Sequence, residues 1–319
     1  MSRLGAFHTT STALSQYSDH ELRDLIAAAE PLGSGIGGTS ALLRINDTKV
    51  FVKRLPLTDL ELRNAGSTAN LFDLPAFCHY GVGLIGAPGF GAWRELAAHT
   101  MTTDWVLAGD HDGFPLMYHW RVLPHPGQEL PEELADVDKA VGYWGGGQKI
   151  RDRIEAVRDA EASIALFLEH FPHNLHDWLD PSDESALAMV EKQLEAGTSF
   201  MNARGLLHFD GHFQNILTDG EQLYFADYGL AISDGFDLSK DEVRFFAEHQ
   251  DYDRLYTSTY LVRWLRHALG EVPQGILERH GPAAEVMGEF IRRFQENPQL
   301  SARFWNASST STQPPELSS

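Results

Sequence analysis

The chain has 319 residues, 43% of them hydrophobic, enough to bury a sizeable core and to build roughly one to three domains. Its 45 acidic against 25 basic side chains give a net charge of -20, which repels phosphate backbones and anionic lipid and argues against nucleic-acid or membrane-surface binding. The lone cysteine, Cys78, excludes an internal disulfide or a multi-cysteine metal site and suits a reducing, cytoplasmic compartment.

Residues 1–18 carry scattered apolar side chains and many hydroxyls without a continuous apolar core, so no signal peptide is expected, and no later run has membrane-spanning length. Leu14, Leu22, Leu25 and Ile26 recur at helical spacing and predict a surface helix over 14–30, ended by Pro31. Short runs rich in Val, Ile and Leu at 41–45, 50–55 and 114–123 predict strands. The first two flank Asn46-Asp47-Thr48-Lys49, whose turn-forming residues join them as an antiparallel hairpin. Residues 58–91 hold Gly, Asn and Pro with no sustained period and read as an insertion or long loop. A helix over 93–107 follows, then a second irregular insertion at 124–147 with the run Gly145-Gly146-Gly147, then a charged helix over 148–161.

The apolar block 163–168 predicts a strand running into a polar linker at 169–174. From 175 onward the pattern is mostly helical, most clearly over 185–203, interrupted by a loop and two short strands between His208 and Ala226. Strands first and helices second predict an α+β chain in two parts. The Ser-, Thr- and Pro-rich tail at 308–319 has almost nothing to bury and is expected to be disordered.

Gly33-Ser34-Gly35-Ile36-Gly37-Gly38 satisfies GxGxxG, a spacing that lets backbone amides approach phosphate oxygens. A dinucleotide site needs a helix straight after the glycines, whereas strand, turn and strand follow here, which favours a lid over a nucleoside triphosphate. Asp59, about twenty residues past the loop, keeps the dinucleotide reading as the alternative. On the second hairpin strand, Val50-Phe51-Val52-Lys53 alternates, so Lys53 and Phe51 share the face beneath that lid. A buried lysine needs a carboxylate; Glu95 in Trp93-Arg94-Glu95-Leu96 is the first candidate and Glu61 the second.

Leu207-His208-Phe209-Asp210-Gly211-His212-Phe213-Gln214-Asn215-Ile216 is followed by Phe225-Ala226-Asp227-Tyr228-Gly229. With the glycine loop, the strand lysine and the linker, these motifs resemble, in order, those of the protein-kinase-like superfamily, which includes protein kinases and the aminoglycoside and choline phosphotransferases. The likeness covers most of residues 30–260. It implies a bilobal fold: an N-terminal helical extension at 1–30, a β-rich N-lobe at 31–168 with insertions near 58–91 and 124–147, a hinge at 169–174, an α-helical C-lobe at 175–307 and the tail. It implies ATP and Mg2+, with backbone near Glu169–Phe171 reading the adenine edge, Gly33, Gly35, Gly38, Lys53 and Glu95 serving the phosphates, and Asn215 and Asp227 holding the metal. Asp210 then accepts or orients the proton of a hydroxyl acceptor, and His208 is architectural.

Phe209 stands where many protein kinases carry an arginine, and no APE-like motif follows Asp227. His212 replaces a lysine typical of serine/threonine kinases and resembles the small-molecule phosphotransferases. Asp227-Tyr228-Gly229-Leu230-Ala231 and the hinge look closer to protein kinases, and the expectation leans slightly to a serine/threonine protein-kinase-like enzyme, with a small-molecule kinase next. The same motifs also admit a nucleotide-binding pseudokinase, and His208, Asp210 and His212 admit a transition-metal site.

Overall fold

Ser18 divides the helix expected over 14–30. In the computed structural model, which describes residues 2–35, 38–125 and 130–299, its hydroxyl accepts from Glu21 N–H (3.3 Å) while the Glu21 carboxylate accepts from Ser18 N–H (2.8 Å). This capping box starts a new helix. The result is α1 (Arg3–Gln16) and α2 (Asp19–Ala27). Glu30, placed by sequence in the helical extension, already begins the first strand.

The strands β1 (Glu30–Gly35), β2 (Gly38–Ile45), β3 (Thr48–Leu57), β4 (Met117–Pro124) and β5 (Ala162–Glu169) form one antiparallel sheet in the order β1-β2-β3-β5-β4. The expected hairpin joins β2 to β3, with Asn46 at φ 52°, a left-handed position that asparagine tolerates. Period-two alternation sends Val50 and Val52 into the core shared with α1 and α2, and leaves Lys53 and Leu55 on the opposite face.

Both stretches read as irregular contain helix. Within 58–91, Thr58 and Glu61 build a capping box on α3 (Asp59–Arg63), and a 3-10 turn covers Ala76–His79. The rest is non-repetitive yet packed, with Leu74, Tyr80 and Phe90 buried. After α4 (Ala92–Ala108), the second stretch holds α5 (Glu132–Ala135) and α6 (Val137–Tyr143), then α7 (Gln148–Arg158). Helices this short carry too few turns for a period to show.

The remaining chain runs β6 (His173–Asn174), α8 (Leu175–Trp178), α9 (Glu184–Ala203), β7 (Leu206–Leu207), β8 (Ile216–Thr218), β9 (Leu223–Phe225), β10 (Ile232–Ser233), α10 (Lys240–Glu248), α11 (Tyr252–Leu269) and α12 (Gln274–Glu296). The chain is therefore mixed α/β. Among the described residues no helix is long and apolar enough to cross a membrane. The expected disorder of 308–319, and the tip of the glycine stretch at Ile36 and Gly37, lie outside the described residues. One apolar core runs from the sheet (Val52, Phe167) to α9 and α11 (Val190, Leu261). A second joins both inserted stretches to α12 through Tyr80, Trp144, Phe209, Phe290 and Phe294.

Candidate functional site

Gly33, Gly35 and Gly38 occupy the facing ends of β1 and β2, and strand rather than helix follows Gly38, so the helix-borne phosphate site of a dinucleotide fold is not formed. Asp59, the acid of that alternative, sits exposed in the first turn of α3. Gly38 is required twice over: its φ is 113°, and a Cβ there would stand 1.8 Å from the Arg54 carbonyl oxygen. Among the described residues nothing lies within 4 Å of such a Cβ at Gly35, which lines the space beneath.

That space is a cleft of about 1070 Å³. Ten of the residues singled out by sequence line it together: Gly33, Gly35, Gly38, Lys53, Glu95, Glu169, Phe171, Asp210, Asn215 and Asp227. The size and mixed lining suit a nucleotide-sized ligand.

Lys53 crosses the cleft. Its ammonium donates to Glu95 Oε1 at 2.7 Å and to Asp227 Oδ1 at 2.9 Å. Glu61, the second candidate partner, is used elsewhere: it caps α3, accepts from Ala92 N–H at the start of α4 (2.8 Å) and pairs with Arg153 Nη1 of α7 (3.1 Å). Burial alone would lower the lysine's pKa, but the charges of Asp227 and Glu95 outweigh it and hold the ammonium protonated well above its ordinary range. With one cation between two acids, the carboxylates diverge. Burial pushes Glu95 up to about 7, whereas the Lys53 charge overcomes burial at Asp227 and holds it down at about 2. The Asp227 side chain stays 43% exposed to the cleft, against 5% for Glu95.

Asp210 lies across from this trio in the loop between β7 and β8. Asn215 Nδ2 donates to its carbonyl oxygen (3.0 Å) and to Oδ2 (3.1 Å), which fixes the loop and leaves the amide oxygen of Asn215 as its remaining polar atom. Burial and the Asp227 charge raise the Asp210 pKa well above the usual carboxylate range. A cation entering the cleft would favour its ionised form.

The loop is held from below. His208 Nε2 donates to the Ala226 carbonyl (3.0 Å) and Nδ1 accepts from Asp210 N–H (3.3 Å), so both ring nitrogens are engaged and the imidazole ties the loop to the strand before Asp227. Burial lowers its pKa to about 4. The proposed transition-metal triad therefore fails at His208, and among the described residues no group of three His, Cys, Asp or Glu side chains has the geometry of a metal site. A hard cation asks for less: an open carboxylate, an amide oxygen, and oxygens from its ligand and water. Asn215 and Asp227 fit that need.

Three features were missed by sequence. Asp253, buried at the start of α11, accepts from the backbone N–H groups of His208 (2.6 Å) and Phe209 (2.8 Å) and so supports Phe209 at φ 63°. Arg3 of α1 reaches Glu169 at the end of β5 with its guanidinium fork (Nε–Oε1 2.9 Å, Nη2–Oε2 2.7 Å) and lies over the Tyr224 ring at 5.0 Å. Phe171, expected near the adenine, stacks on Tyr224 at 3.7 Å. Third, Gly81 presses its backbone on Asp210: a Cβ there would fall 2.1 Å from Oδ1. Nothing in the spacing of these residues marks them; each partner lies in a different element. Neither any protein-family model nor any curated protein sequence matches this chain.

Proposed function

We propose that the chain is an ATP-dependent phosphotransferase of the protein-kinase-like superfamily, with the bilobal architecture of that group and a cleft that takes Mg-ATP and a hydroxyl acceptor. The observation that carries this reading is the Lys53 ammonium held between Glu95 and Asp227 in the same cleft as the Asp210–Asn215 pair. Phosphoryl transfer needs alignment and charge neutralisation more than covalent chemistry, and this set of groups supplies both.

Glycine backbone at the ends of β1 and β2 covers the triphosphate, and Lys53, oriented by Glu95, neutralises its oxygens. Asn215 and Asp227 are the residues that would hold magnesium, which when bound offsets phosphate charge. Asp210 accepts the proton of the attacking hydroxyl as the new oxygen–phosphorus bond forms and ADP leaves.

The test separates chemistry from binding. Asp210→Ala is expected to bind Mg-ATP within about threefold of wild type while ADP formation falls by about a hundredfold or more. Asp227→Ala is expected to lose the magnesium dependence of nucleotide binding. Equal turnover in wild type and Asp210→Ala would remove the enzymatic claim.

A further inference from the structure

The stretch from Cys78 to Phe90 forms one wall of the cleft beside Asp210, lining it with Gly81, Gly86, Ala87, Pro88 and Gly89. Gly81 is its point of contact, so close that the smallest side chain would overlap Asp210 Oδ1. The wall is anchored on several sides. His79 Nδ1 donates to the Leu230 carbonyl (2.8 Å), Trp144 Nε1 to the Gly86 carbonyl (3.0 Å), Arg153 Nε to the Gly89 carbonyl (3.2 Å), and Gln295 of α12 to the Val82 carbonyl (3.1 Å). Tyr80 is fully buried among Phe209, Phe290 and Phe294. Facing the same cleft, α5 and α7 contribute the aliphatic side chains of Leu134, Ile154 and Val157.

From this lining we propose that the acceptor is a low-molecular-mass alcohol with an apolar body, and not a polypeptide. The inference rests on the phosphotransferase reading. A peptide hydroxyl comes on a chain that must leave the site in both directions at about 3.3 Å per residue, and that needs an open groove. Here the chain's own backbone at Gly81, Gly86 and Gly89 lines the cleft, with Gly81 set against Asp210. Nor does the stretch after Asp227 offer a platform: Asp237 N–H donates to Thr68 Oγ1 (2.9 Å), and Arg94, paired with Glu242 at 2.7 Å, donates to the Thr68 carbonyl (2.6 Å). The small-molecule acceptor, the second of the two expectations from sequence, is therefore taken over a protein acceptor. In the step proposed, the alcohol oxygen bonds to the γ-phosphorus, the bond from that phosphorus to the bridging oxygen breaks, the hydroxyl proton passes to Asp210, and ADP carries off the electron pair.

The experiment supplies γ-labelled Mg-ATP to the full chain with two panels: casein, histone and the chain itself on one side; amino alcohols, aromatic alcohols, nucleosides and aminoglycosides on the other. Label is expected only in the low-mass fraction, and label on a polypeptide faster than on every alcohol overturns the inference. Absence of any ADP formation, from either panel or from water, sinks the phosphotransferase reading itself. Gly81→Ala is the second arm: with nucleotide binding kept within about threefold, ADP formation should fall at least about tenfold. Unchanged turnover in a Gly81→Ala protein that binds nucleotide overturns the placement of the acceptor against Gly81. Should that variant fail to fold, the two panels decide alone.

Discussion

Lys53, one ammonium between two acids, makes the site pH-dependent in a way that can be assigned by sign. Glu95 binds its proton more tightly folded (about 7) than free (4.5), so its share of stability falls as pH rises through that window. Asp227 has the opposite sign: held at about 2 against 3.8, its share is present above the free value and lost only as pH falls toward 2. The raised Lys53 contributes fully below 10.5. Between pH 4.5 and 7, Glu95 is thus the member of the trio whose share changes. Denaturant unfolding of wild type and Glu95→Gln at both ends of that window should show wild type losing stability relative to the variant as pH rises toward neutral; a constant difference would sink the assignment. At this scale the sequence was informative where groups lie in one loop or one strand. Lys53, Asp210, Asn215 and Asp227 stand out by local spacing, whereas Asp253 is separated from the backbone it supports by 45 positions and Arg3 from Glu169 by 166.

Two elements act at a distance on the cleft. Helix α1 contributes the guanidinium that fixes Glu169 and overlies the Tyr224 ring stacked on Phe171, so one edge of the cleft is set by Arg3. Arg3→Ala is expected to weaken Mg-ATP binding about threefold to tenfold at nearly unchanged maximal turnover, and Arg3→Lys to restore little, because a lysine cannot form the paired contact. A fall in turnover at unchanged affinity would contradict a positioning role. The second element is α3, through Glu61. That buried carboxylate caps its own helix, receives the start of α4 and neutralises Arg153, which is 5% exposed. Removing it strands a buried cation, and Glu61→Ala should lower the unfolding free energy by about 3 kcal/mol in chemical denaturation. The strands of the hairpin were legible because a two-residue period is visible even over short stretches. The inserted segments were not, because their apolar residues bury one at a time against α10, α11 and α12, leaving no period to read.

At the scale of the whole molecule, the continuity of the larger core from sheet to helices decides how the cleft is coupled to stability. Val52 and Phe167 of the sheet share that core with Val190 of α9 and Leu261 of α11, and Lys53 adds an ion pair from β3 to Asp227 just after β9. Residues on both sides of the cleft therefore belong to one packed unit, and sheet and helices are expected to unfold in a single transition. A ligand that binds only the folded chain stabilises all of it: a non-hydrolysable Mg-ATP analogue at roughly a hundred times its dissociation constant should add about 2.7 kcal/mol to the unfolding free energy. In Asp227→Ala, magnesium should add nothing to what the analogue gives alone. Two separate transitions, with only one of them moved by the analogue, would mean that the nucleotide rests on one side of the cleft, and the coupling drawn from Lys53 would be wrong.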